Sequence, residues 1–141
     1  MTEVRHPRVA FIVNLLSKLN MTIAARSALV HGIYALAGGL SLLIFPNMLA
    51  LIGFDPQNDL WLRVFGLEVA VLGFFYLRAA QEENTQFFKA SVIGRLSFTL
   101  ILFIMVVLGL SKINLVLLGV PDFFTAIWTL IGLRNASTPT T

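Results

Sequence analysis

Cysteine is absent from this 141-residue chain, which removes disulfides, thiolate metal sites and cysteine nucleophiles together. Charge is scarce: 12% of the residues are Asp, Glu, Lys or Arg, against about 25% in a soluble domain. A chain that is 57% hydrophobic, with mean hydropathy +0.87, lacks the polar groups to cover itself in water. No Gly-x-Gly-x-x-Gly, Gly-Lys-Ser/Thr or Gly-x-Ser-x-Gly motif occurs, so neither nucleotide-driven nor serine-hydrolase chemistry is indicated. His31, the one histidine inside an apolar run, has no His-x-x-x-His or Glu-x-x-His partner, and no metal site is expected. The net charge of +3 comes from basic residues that flank apolar runs without forming a dense patch, so nucleic acid is not an expected partner.

What the chain has instead is long apolar runs. Residues 61–80, WLRVFGLEVAVLGFFYLRAA, rise about 1.5 Å each as a helix and so span the roughly 30 Å hydrocarbon core of a bilayer. Four spans are predicted, at 27–45, 60–77, 90–110 and 113–133. Pro46 closes the first and opens a short outer half-helix over 47–54. Residues 55–59 read as a turn, 78–89 as a polar connection and Ser111-Lys112 as a tight turn. The fourth span carries Pro121 and Asp122. Its twelve Leu, Ile, Val and Phe residues, at about −0.3 to −0.6 kcal/mol each, outweigh the roughly 3 kcal/mol of the acid by a slim margin.

Before the first span, residues 9–25 gather Phe11, Ile12, Leu15, Leu16, Leu19 and Ile23 on one arc, with Asn14, Ser17 and Lys18 opposite. This predicts an amphipathic helix in the membrane interface; Asn14, Lys18 and Asn20 interrupt the run too often for a signal peptide. The expected class is therefore an all-α integral membrane protein, a four-transmembrane-helix antiparallel bundle with an N-terminal amphipathic interfacial helix. Its divisions are 1–26, 27–134 and a polar tail at 135–141. With the N-terminus inside, eight basic residues (Arg5, Arg8, Lys18, Arg26, Arg78, Lys89, Arg95 and Arg134) fall on the inner side and two (Arg63 and Lys112) outside. That bias places the chain in the cytoplasmic (inner) membrane with both termini cytoplasmic.

Polar and small residues recur at helical spacing. The first span has Ser27, Ala28, His31, Tyr34, Ala35 and Gly38; the third has Ser91, Arg95 and Thr99; the fourth has Gly119, Asp122, Thr125, Ala126 and Thr129. Small residues let helices approach and hydroxyls bond across them, so each stripe is expected to face inward. Glu68 is expected inward too, because a carboxylate at membrane depth costs about 2.5–3.5 kcal/mol. The Gly66, Ala70 and Gly73 face, nearly opposite Glu68, then points away from the bundle axis, to pack on an adjacent helix at a skewed angle or, the favoured of the two expectations, on another copy or a partner. The anticipated buried cluster is His31, Tyr34, Glu68, Arg95, Thr99, Asp122 and Thr125.

Several short patterns carry a family resemblance. A segment opened by Pro46 ends in Gly53-Phe54, Trp61-x-Arg63-x-x-Gly66 starts the second span, Gly94-Arg95 lies early in the third, and Asp122 lies in the fourth. Over residues 27–134 the chain resembles the DoxX-like small bacterial four-helix membrane proteins. The resemblance implies the same topology and, for some members, partnership with redox or quinone-linked membrane enzymes; the cysteines of some members are missing here. Two functions are expected to compete. One is a non-catalytic, helix-packing subunit of a homo-oligomer or larger membrane complex. The other is a membrane-embedded site, enzymatic or proton-linked or for binding alone, for a lipid, quinone or other hydrophobic small molecule, anchored by Glu68, Asp122 and Arg95. No cofactor is named by the residues.

Overall fold

A computed structural model describes residues 21–53 and 59–136. Four long helices dominate: α1 (Ile23–Ile44), α2 (Asp59–Gln81), α3 (Thr85–Val107) and α4 (Val116–Ala136). With the short turn Ile113–Leu115 joined to α4, all four are long and apolar enough to cross a membrane.

Each boundary has a local cause. The Thr22 hydroxyl accepts from Ala25 N at 3.2 Å and caps α1. α1 stops before Pro46, whose ring bars helical backbone at the preceding residue, and Pro46 starts the 3-10 segment Pro46–Ile52. That segment ends at Gly53, whose φ of 82° suits glycine. The connection expected over residues 78–89 is shorter: α2 runs to Gln81 and α3 begins at Thr85. Polarity there marks where the helices leave the apolar zone, not where they end. The helix break is set by Asn84, whose N–H reaches Ala79 O at 2.9 Å while its side chain accepts from Phe87 N at 3.0 Å. Glu83, in the left-handed region at φ 50°, accepts from Thr22 N at 2.8 Å and ties this turn to the start of α1. The interfacial helix expected over 1–26 lies mostly outside the described residues, but 23–26 already belong to α1. Of the expected tail, Asn135 and Ala136 extend α4 and the remainder lies outside the described residues.

The interior is built of small residues. Ala25, Ser27, Ala28, Ala80, Ala126 and Thr129 are completely shielded, while Ile33, Phe74, Ile93, Leu100 and Phe124 are more than half exposed. Large apolar groups outside and small ones inside suit a protein whose solvent is lipid, where close packing replaces the hydrophobic effect between helices.

The longest seam joins α1 to α2. An added Cβ on Gly39 would strike the Ala70 backbone nitrogen, and one on Gly73 would strike that of Leu36. Gly66 in turn lies against Gly39 O at 2.8 Å from where its Cβ would be. The Gly66, Ala70 and Gly73 face is therefore buried against the adjacent helix α1, the less favoured of the two expectations, which corrects the contact with another chain. Glu68, expected inside, is exposed on the outer side of α2, and no hydrogen bond or ion pair among the described residues involves it. One acid costs a few kcal/mol at membrane depth, whereas a glycine seam gains dispersion over dozens of atom pairs at about 0.1–0.2 kcal/mol each. The seam decides which face turns in.

On its other side α1 packs against α4, where Gly132 meets the backbone of Ala24 and Ser27 meets Thr129, and α4 packs against α3. The neighbour order is thus α2, α1, α4, α3. Although a three-residue turn links them, α2 and α3 approach closely at few points. Near that turn the gap is closed by Phe88, Tyr76, Ala79 and Ala80 packed on Ala24, Ala25 and Ala28. Farther along it stays open.

Candidate functional site: a cleft between α2 and α3

The gap forms a cleft of about 320 Å³. Phe65, Val69, Leu72 and Tyr76 of α2 make one wall, and Gly94, Arg95 and Phe98 of α3 the other. His31, Tyr34 and Ala35 of α1 with Leu118 and Asp122 of α4 form the floor. An added Cβ on Gly94 would meet nothing within 4 Å, so a missing side chain keeps the α3 wall open. The lining is apolar apart from a few convergent polar groups, as in small-molecule sites generally.

Arg95 is the most constrained of these groups and only 3% exposed. Its Nε donates to Ser91 O at 3.3 Å, and its Nη2 donates to Ser91 Oγ at 3.1 Å and Thr129 Oγ1 at 2.9 Å. Thr129 is held in turn by Ser27 Oγ at 2.8 Å and by donation to Thr125 O at 2.8 Å. The Tyr76 ring lies 5.3 Å from the guanidinium carbon, in cation–π range. The remaining nitrogen, Nη1, is buried without a hydrogen-bond partner.

His31 is 5% exposed and braced on three sides. Its Nδ1 lies 3.1 Å from Thr125 Oγ1, its Nε2 lies 3.7 Å from Asp122 Oδ1, and its ring and that of Tyr76 meet in a T-shaped contact with centroids 4.5 Å apart. Thr125 Oγ1 also sits 2.6 Å from Pro121 O. Tyr34 is 47% exposed, at the outer margin of the cleft.

Of the seven residues expected to cluster, His31, Tyr34, Arg95 and Asp122 line the cleft. Thr125 supports His31 from behind. Thr99 instead spans Arg95 O at 3.0 Å and Gly119 O at 3.2 Å, fastening α3 to α4 outside the cleft. Glu68 does not join them. Arg95 and Asp122 form no ion pair: each has a closer partner of its own. Sequence reasoning missed Tyr76, which touches both Arg95 and His31. Its signal was spacing, since Tyr76 shares an α2 face with Val69 and Leu72 rather than with Glu68.

A scan of the chain against family models, and searches of curated proteins and of solved structures, gave no match.

Proposed function

We propose that this protein is a small multi-pass protein of the cytoplasmic membrane, an up-down-up-down bundle with both termini cytoplasmic, that binds one hydrophobic molecule by its polar head. The head enters between α2 and α3 from the bilayer, and the tail stays among the lipid chains. A lipid, a quinone or another amphiphile fits this description. The observation that carries the reading is a cleft of about 320 Å³ that neighbouring helices leave open, apolar except where His31, Tyr34, Arg95 and Asp122 converge on it. Gly94, Arg95 and Asp122, which carry part of the DoxX-like resemblance, all line the cleft, and membership of that group belongs to this proposal.

Saturable binding of a twelve-carbon amphiphile to the detergent-solubilised chain tests the reading. Gly94→Phe, which fills space that nothing else occupies, is expected to abolish binding while the protein still folds. Binding that is unsaturable, or indifferent to Gly94→Phe, sinks the proposal.

One observation favours association as well. Glu68 is exposed at mid-span, where a carboxylate facing lipid is unfavourable, so a second copy or a larger complex covering that face would shield it. Under this reading Glu68→Leu weakens self-association of the solubilised protein; an unchanged oligomeric state counts against it.

A further inference from the structure

The neighbour order α2, α1, α4, α3 folds back on itself, because a three-residue turn ties α2 to α3 and Tyr76 of α2 meets Phe87 and Arg95 of α3. The bundle therefore has an α1–α4 layer and an α2–α3 layer. At about 100° per residue, Glu68 stands nearly opposite the Gly66, Ala70 and Gly73 seam with α1. By the same count Ser97 stands nearly opposite Arg95, Thr99 and Leu102, which turn toward α4. Both side chains thus project from one side of the molecule, the outer face of the α2–α3 layer.

A polar side chain is rare on that surface. Among the described residues, the middle of the four spans exposes Glu68 and Ser97 besides Tyr34 at the cleft and the indole of Trp128. No hydrogen bond or ion pair among the described residues involves either Glu68 or Ser97. The two also share a depth. Glu68 lies thirteen residues before Gln81, the end of α2, and Ser97 twelve residues after Thr85, the start of α3. At about 1.5 Å per residue, both stand about 18–20 Å from the turn between those helices. Trp128, eight residues before Ala136, stands only about 12 Å from the end of α4.

Copies inserted in one orientation are related by an axis along the bilayer normal, and rotation about that axis preserves depth. A two-fold axis makes contacts reciprocal: where Glu68 of one copy meets Ser97 of the other, Ser97 of the first meets Glu68 of the second. We infer that the partner covering Glu68 is a second copy of this chain, docked through the α2–α3 layer, with each Glu68 carboxyl hydrogen-bonded to the Ser97 hydroxyl across the axis. This rests on the reading that association shields Glu68. A hydroxyl donates to a carboxylate and accepts from a carboxylic acid, so the pair closes in either protonation state. The cleft mouth opens on this side too, so an amphiphile enters while the copies are apart.

The absence of cysteine lets introduced thiols report the pairing. Val64 and Ile101, four residues from Glu68 and Ser97 on the same faces and 40% and 55% exposed, come together across the axis. Val64→Cys and Ile101→Cys chains are made singly and together in one membrane, then treated with a membrane-permeant oxidant; a disulfide needs Cα atoms within about 7 Å. Co-expression is expected to give a mixed dimer well above the level of either variant alone. Energy transfer between labelled chains in detergent is expected to show Ser97→Ala weakening association about tenfold, at a factor of about three for each of two interhelical hydrogen bonds. Val64→Cys linking to itself as readily as to Ile101→Cys sets α2 against α2; that overturns the inference and leaves Glu68 shielded by a second copy. A stable complex with a different protein and no mixed dimer overturns it in favour of a larger assembly. A chain that is monomeric in membrane and detergent alike, with nothing bound, overturns both. Cross-linking is read on chains that keep Glu68 and Ser97, so it decides even where Ser97→Ala does not fold.

Discussion

Replacing Gly39 by alanine should loosen the bundle, whereas the same change at its neighbour Gly38 should not. A Cβ on Gly39 would sit 2.5 Å from Gly66 O, 2.9 Å from Ala70 Cα and closer still to Ala70 N, while one on Gly38 meets nothing within 4 Å. Ordinary contact needs 3.4–4 Å, so α1 and α2 must part by about an ångström along their seam. The obstructing atoms are backbone and have no rotamer to escape into. Overpacking of this kind costs about 1–3 kcal/mol, and rigid obstacles place Gly39→Ala in the upper half of that range. Both changes gain the same helix propensity, about 1 kcal/mol in water-soluble helices, so their difference isolates the steric effect. Equilibrium unfolding by sodium dodecyl sulfate titration from mixed micelles reads that difference. Equal stability of the two variants would refute the intramolecular seam. Dissociation of an oligomer by Gly39→Ala, with the protomer's stability unchanged, would restore this face to an inter-chain role.

Three further outcomes follow from the contacts described. Thr129→Val removes an acceptor from the buried Arg95 Nη2 and a partner from Ser27, and should lower unfolding stability by about 1–3 kcal/mol in the same titration. Asn84→Ala deletes the α3 cap and should cost about 1 kcal/mol, with faster amide exchange at Phe87. Glu68→Leu should leave protomer stability unchanged or higher, because the side chain is exposed and makes no internal bond; a loss above about 1 kcal/mol, the ceiling for an exposed ion pair, would mean that it has a partner within the chain.

The four spans were legible because each concentrates apolar residues over a membrane's thickness, and most of the inward stripes of α1, α3 and α4 because polar groups at depth need partners; Tyr34, half exposed, and Gly38, with open space beside it, are the members of the α1 stripe that do not face inward. Ser27, His31, Arg95, Asp122, Thr125 and Thr129 accordingly interlock. The orientation of α2 was misjudged by giving one acid priority over three small residues. Gly66, Ala70 and Gly73 allow backbone contact along several turns, and those contacts outweigh the exposure of Glu68. The α2–α3 break at Asn84 was hidden by polar flanks that stay helical after leaving the apolar zone. The cleft itself was not legible, because it depends on α2 and α3 being held apart by their separate partners, α1 and α4. No periodicity within one helix encodes that gap.

The account turns on an amphiphile whose polar head is received by the cleft between α2 and α3. Native mass spectrometry of the full chain, released gently from the membranes in which it was made, tests this most directly. The expected result is a population carrying one small amphiphile per chain, kept in Gly38→Ala and lost in Gly94→Phe. Bare protein alone from the unsubstituted chain, or an adduct that survives Gly94→Phe, would contradict it.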